Sequence, residues 1–164
     1  MKWKVVMLSG LVLWGVLFTA SRVDAAEPVV ITEEVEQYSI KYGTQYGISP
    51  EIIQAMCWTE SRCNPTAQSP NKACKGVAQI HVASHQERMS RLNVRNIFDV
   101  AGNIHVACDY LSEISETEPD IGCALMIYNG SSPERVAEGR NGRLSGYAKQ
   151  VLEIAAELEE RNGK

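Results

Sequence analysis

Residues 119–128 narrow most sharply what this chain can fold into. After Pro119 and Asp120 comes Ile121-Gly122-Cys123-Ala124-Leu125-Met126-Ile127-Tyr128, a short helical segment that is mostly apolar all round. A helix without a polar face belongs at the centre of a domain, wrapped by other elements. The rest of the chain supplies the wrapping, because it reads as helical nearly throughout. Thr32 caps a helix whose face is Ile31, Val35, Tyr38 and Tyr42, ending at Gly43. Ser49 and Pro50 open a second over residues 50–61. Residues 82–92 form a short helix, and Asp99 caps one with Val100, Ile104, Ala107, Cys108 and Leu111 on one face. Ser132-Pro133 starts another, and residues 145–160 present Tyr147, Val151, Ile154, Ala155 and Leu158 together. Residues 62–80 are rich in Asn, Pro, Ser and Lys and long for a loop, a length that often goes with function. The expected architecture is mainly α, with a small β-hairpin or turn region near residues 74–81.

One residue breaks the pattern of burial. Ile53, Met56, Cys57 and Glu60 fall at i, i+3, i+4 and i+7 of the second helix, so a carboxylate completes an apolar stripe near the helix C-terminus. Apolar neighbours and the negative end of the helix dipole both disfavour its ionised form. A carboxyl kept protonated near neutral pH is what a general acid requires. Trp58 points elsewhere on the same helix and reads as core.

The first 25 residues resemble a secretory signal: Lys2 and Lys4, an apolar run from Val5 to Ala20, then Val23-Asp24-Ala25 before a cut at Ala25/Ala26. The run is shorter than the ~20 residues of a spanning helix. Removal leaves 139 of the 164 residues, one domain over 26–164. It also takes three of 16 basic and one of 20 acidic residues, leaving a net charge near −6. That balance argues against nucleic acid and against simple electrostatic capture of anionic polymers. Five cysteines in an exported chain permit disulfides, with at least one thiol left over, and none forms a Cys-x-x-Cys motif.

Glu60-Ser61 is followed by Asn64-Pro65, by Gly76-Val77-Ala78-Gln79, by Asn103-Ile104 and by Tyr128-Asn129-Gly130. In this order the motifs resemble the lytic transglycosylase family, lysozyme-like enzymes that cleave peptidoglycan strands. The family pattern is Glu-Ser, Gly-Leu-Met-Gln, Asn-Ile and Ala-Tyr-Asn. The resemblance spans about residues 36–155. It implies a lysozyme-like helical domain in which Glu60 is a single catalytic acid and base. The substrate's N-acetyl group assists and a 1,6-anhydro ring closes. That explains why Asp99, Asp109 and Asp120 carry no independent catalytic signature: Asp99 reads as a cap, Asp109 as polar-side, Asp120 as a dipole partner. Families assisted by their substrate are exceptions to the two-carboxylate rule.

The resemblance further implies substrate contacts from Ser61, Ser69, Gln79, Tyr128, Asn129 and Tyr147. Ala78 stands where the family has methionine, which removes whatever side-chain contact that residue makes. No cofactor is implied. His81 and His85 have an i, i+4 spacing that can bind zinc, but no third ligand stands at motif distance, and they read as a solvated face. The implied partner is the peptidoglycan glycan strand, in the periplasm or outside the cell, and the chain's small size suggests local wall opening for a secretion, conjugation or phage-related envelope complex. A muramidase that hydrolyses the same bond with water, and a non-catalytic glycan-binding envelope component, are the alternatives. Cys63 and Cys74 flank the loop after Glu60, and Cys108 and Cys123 lie on helices expected to be antiparallel. Bridges Cys63–Cys74 and Cys108–Cys123 would leave Cys57 free, although Cys57 could instead meet Cys108 or Cys123.

Overall fold

The computed structural model describes residues 27–164, so the expected export signal lies outside the described residues. Seven α-helices are present there: α1 (Glu33–Tyr46), α2 (Pro50–Ser61), α3 (Gln86–Arg91), α4 (Val100–Thr117), α5 (Ile121–Tyr128), α6 (Pro133–Arg140) and α7 (Gly146–Arg161). A two-residue antiparallel pair, β1 (Cys74–Lys75) and β2 (Ile80–His81), sits between α2 and α3, with Cys74 opposite His81. A 3₁₀ turn, Val82–His85, leads into α3. The mainly α expectation holds, and the small hairpin falls where the sequence placed it.

The helix starts follow from capping chemistry. Thr32, Asp99, Asp120, Ser132 and Ser145 each accept a hydrogen bond from a backbone N–H in the first turn of the helix that follows. Ser49 is the exception: its hydroxyl donates to the Glu51 carboxylate at 2.8 Å and caps no backbone group. The first helix also differs from its reading. Gly43 does not end it; the helix continues to Tyr46, and Gly47 closes it in the left-handed conformation at φ 68°. Gly43 is needed because a Cβ there would lie 2.6 Å from the Ile48 carbonyl oxygen, where the chain turns back toward α2.

α5 is central, as its composition requires. Gly122 to Met126 are buried, and the helix packs against α4, α6 and α7. α2 is buried along most of its length between α1 and α7, with Ile53, Met56, Cys57 and Trp58 all in the core. Trp58 is core, and the Arg62 guanidinium lies over its ring, 5.1 Å from the centroid. Near the start of α2, the buried Glu51 carboxylate accepts from Asn162 (3.0 Å) and Lys164 (2.7 Å), tying α2 to the end of α7.

All five cysteines are free thiols, so neither Cys63–Cys74 nor Cys108–Cys123 is bridged in this structure. Cys123 turns toward α6, with its sulfur 3.9 Å from the Val136 carbonyl oxygen and against Gly139, away from the position that pairing with Cys108 assumed. Cys57 is free and buried, as read. Asp109 is likewise not a solvent-facing residue of α4. It is 8% exposed and bound by Arg88, Arg91 and the Tyr46 hydroxyl.

Candidate active site

A cavity of about 660 Å³ opens on one side of the domain, and Glu60 lines it. The carboxyl stands in the last turn of α2, half-buried. Burial pushes its pKa up; the Tyr147 hydroxyl pulls the other way by favouring the ionised form, and burial wins. Arg62, two residues further along the chain, is occupied elsewhere. It donates to the Trp58 carbonyl at 2.9 Å and to Glu27 at 3.0 Å. Glu60 therefore sits at the negative end of a helix with nothing to neutralise it, which suits a carboxyl that holds its proton.

The turn between β1 and β2, which brings Gln79 to the groove, is fixed from three directions. Ser61 donates to the Val77 carbonyl at 2.8 Å, joining the end of α2 to the turn. Asn103, fully buried on α4, accepts from the Ala78 N–H at 2.8 Å and donates to the carbonyls of Lys75 (2.9 Å) and Ile97 (2.8 Å). The Tyr128 hydroxyl, from the end of α5, donates to the Ala78 carbonyl at 3.0 Å. Gly76 makes room for this: at φ 80°, a Cβ would lie 2.1 Å from the Asn103 side-chain nitrogen. Gln79 also takes a left-handed conformation, φ 47°, and its amide donates to the Gly76 carbonyl at 2.9 Å. This spends one amide hydrogen and leaves the carbonyl oxygen and second hydrogen for a ligand.

Of the residues singled out from the sequence, Glu60, Ser69, Gln79, Tyr128 and Asn129 share this cavity. Ser69 donates to Asn71 at 2.7 Å and accepts from the Cys74 N–H at 3.0 Å, shaping the rim. Asn129 caps α5 and is exposed, as its position after the apolar helix suggested. Ser61 lies outside the lining and works through the turn. Tyr147 is also outside it, but its hydroxyl lies close enough to Glu60 for the two to act on each other's ionisation. That hydroxyl is buried and closes no hydrogen bond.

The far wall was not legible from motifs. His81, Ser84, His85, Arg88, Tyr110 and Glu113 line it, from the 3₁₀ turn, α3 and α4. His85 is not on a solvated face: its ring packs against Tyr110 with centroids 4.5 Å apart, and Tyr110 in turn lies 5.4 Å from Tyr128. The one sequence hint was the i, i+3 spacing of His85 and Arg88. Glu113 is a second carboxyl in the groove, but it is exposed and paired with Arg88 at 2.8 Å. Among the described residues no group of three His, Cys, Asp or Glu is placed to hold a metal ion.

A helical domain with one half-buried acid above an open, mixed polar and apolar groove has the layout of a glycan-cleaving enzyme of the lysozyme-like class. The family model described as the Transglycosylase SLT domain matches residues 37–148, and the chain belongs to that family. Comparison with curated proteins finds no match. The fold is the family's lysozyme-like one, and the family is one of glycosidic bond-cleaving transglycosylases that act on peptidoglycan in the cell envelope. No helix among the described residues is long and apolar enough to cross a membrane.

Proposed function

We propose that this protein is an exported lytic transglycosylase. On this reading it cleaves the β-1,4 bond between N-acetylmuramic acid and N-acetylglucosamine and leaves a 1,6-anhydro end. The reading is supported above all by Glu60, the one groove carboxyl that burial holds toward its protonated form and that no cation pairs. Glu60 gives its proton to the glycosidic oxygen. The substrate's N-acetyl oxygen supports the developing positive charge at the anomeric carbon. Glu60, now a carboxylate, takes the proton of the muramoyl 6-hydroxyl as that oxygen closes the ring. One carboxyl thus serves as acid and then as base. Glu113, held by Arg88 and open to solvent, is a poor second acid.

Gln79, with an amide oxygen and one hydrogen free, suits the N-acetyl group. Asn129 and Ser69 suit the sugar hydroxyls at the two rims, and Tyr147 bears on Glu60 itself. Ser61 and Tyr128 support substrate binding by holding the turn. Residues 1–25 act as a cleaved export signal, and the mature 26–164 domain works in the periplasm or outside the cell, where a secretion, conjugation or phage-related envelope complex is the kind of partner that suits it. Mass analysis of fragments released from purified peptidoglycan tests the reading. Anhydro ends are expected. Reducing ends would mean hydrolysis by water, and no fragments would mean a binding component.

A further inference from the structure

We propose that His85 is a substrate-binding residue whose Nε2–H donates to an acceptor oxygen of the bound glycan, and that Arg88 is the positioning residue that sets this up. The inference rests on the glycan-cleaving reading of the groove. Its basis is the hydrogen bond from Arg88 Nε to His85 Nδ1, at 3.3 Å. An arginine can only donate, so Nδ1 must be the acceptor and the ring proton must sit on Nε2. Nε2 makes no hydrogen bond to any described residue, and the ring forms part of the groove wall.

The arrangement is rigid. Arg88 is 10% exposed and is gripped by Asp109 and by Glu113 at 2.8 Å. Arg91 holds Asp109 from the other side at 2.7 Å. The Tyr110 ring packs against the imidazole at a tilt of 57°, and the Arg88 guanidinium also lies 5.2 Å from the Tyr110 centroid. The groups acting on His85 are Arg88, His81 and Glu113. Burial first, then the positive Arg88 and His81, lower its pKa, while Glu113 opposes them and loses. His85 is therefore a donor of fixed direction, held toward its neutral form. The row of tilted rings Tyr128, Tyr110 and His85 carries it along the groove away from Glu60, where the next sugar of a strand would lie.

Two measurements on the mature chain test this. In the Glu60→Gln background, which removes turnover, the probe is a β-1,4-linked N-acetylglucosamine tetramer. His85→Phe keeps a ring on Tyr110 but has no donor, and should weaken tetramer binding about threefold to tenfold, the worth of one neutral hydrogen bond. His85→Gln, with an amide N–H, should recover most of the loss. Equal affinity with and without His85→Phe overturns the proposal, and so does failure of the Glu60→Gln parent to bind the tetramer. The second measurement is the ¹⁵N spectrum of the histidine rings. His85 should show the Nε2–H tautomer and remain neutral at pH 6.5, the ordinary histidine midpoint. Arg88→Lys, which keeps a cation beside Asp109 but lacks Nε–H, should let the other tautomer appear. An imidazolium at pH 6.5, or an Nδ1–H tautomer in the wild-type chain, overturns it. If peptidoglycan yields no fragments while tetramer binding still depends on His85, the enzymatic reading fails and this site stands.

Discussion

The Tyr147 hydroxyl, one residue into α7, is buried beside the Glu60 carboxyl at the end of α2 and closes no hydrogen bond of its own. Although no hydrogen bond closes within normal geometry, the hydroxyl is near enough for its hydrogen-bonding pull to favour the carboxylate, so it restrains the rise that burial imposes on Glu60. Tyr147→Phe should therefore raise Glu60's pKa further. The alkaline limb of kcat/KM against pH, which reports loss of the essential proton in free enzyme, should move to higher pH. A limb that stays put or moves down would show that the hydroxyl has no hold on the acid. Stability should change little, because the variant loses a polar group that was unsatisfied.

Glu60→Gln keeps the shape of the side chain and removes its proton. Release of fragments from peptidoglycan should fall by at least about 10²-fold, the lower end of what general acid catalysis contributes. A Gln variant that clears the wall at near wild-type rate would remove Glu60 from the mechanism. The same variant has a stability signature. Glu60's folded pKa lies above its ordinary 4.5, so the native state binds the proton more tightly than the unfolded chain. Wild-type stability is then unaffected below 4.5, declines as pH rises from there through the folded pKa and levels off above it, each unit of separation being worth about 1.4 kcal/mol. Denaturant unfolding should show Glu60→Gln gaining on wild type at neutral pH, with the gain vanishing in acid.

Gly76 and Asn103 should fail in different ways. Gly76→Ala adds a methyl 2.1 Å from the Asn103 side chain at a φ of 80°, which combines overpacking with backbone strain. A loss of about 2–4 kcal/mol is expected. Asn103→Leu strands the Ala78 N–H and the carbonyls of Lys75 and Ile97. It should cost about 2–3 kcal/mol by leaving buried groups unpaired. Where either variant still folds, activity should drop more than tenfold, because the turn carrying Gln79 shifts. Retained activity with lowered Tm would mean that the turn is set elsewhere.

Glu51 is a clasp with its own pH dependence. Burial alone would raise its pKa, but hydrogen bonds from Lys164, Asn162 and Ser49 outweigh burial and hold it at about 2. A depressed folded pKa stabilises the native state above the ordinary 4.5, and the contribution is lost as pH falls from there toward 2. Wild type should therefore lose on the order of 2–3 kcal/mol over that window relative to Glu51→Gln, measured by denaturant titration at each pH. Parallel curves for the two proteins would mean that the clasp contributes nothing.

Much of this was legible in the sequence, and the reasons are local. Caps at Thr32, Asp99, Asp120, Ser132 and Ser145 are short-range chemistry, and α5's apolar surface dictates its central place. Glu60 was visible because a charge in an apolar stripe contradicts its neighbours. What escaped depends on contacts between distant segments. Gly43 reads as a helix stop until the Ile48 carbonyl is seen pressed against it. Asp109 looks exposed until Arg88 and Arg91 close over it from α3. Tyr110 carries no motif, and His85 gains its place only when α4 slides a tyrosine against it. The disulfide pairs assumed a facing of α4 and α5 that the turn of Cys123 toward α6 does not provide.

The turn that carries Gln79 is held by Ser61, Asn103 and Tyr128, partners 16, 25 and 50 residues away along the chain. Each contact closes a longer loop than the last, and the entropy of closure rises with length. The acid acquires this turn only after α5 has docked, and Tyr147 joins it only with α7. A chain emerging N-terminus first would therefore carry Glu60 long before its surroundings exist, so that on the proposed reading cutting power over the wall appears as one of the last events of folding.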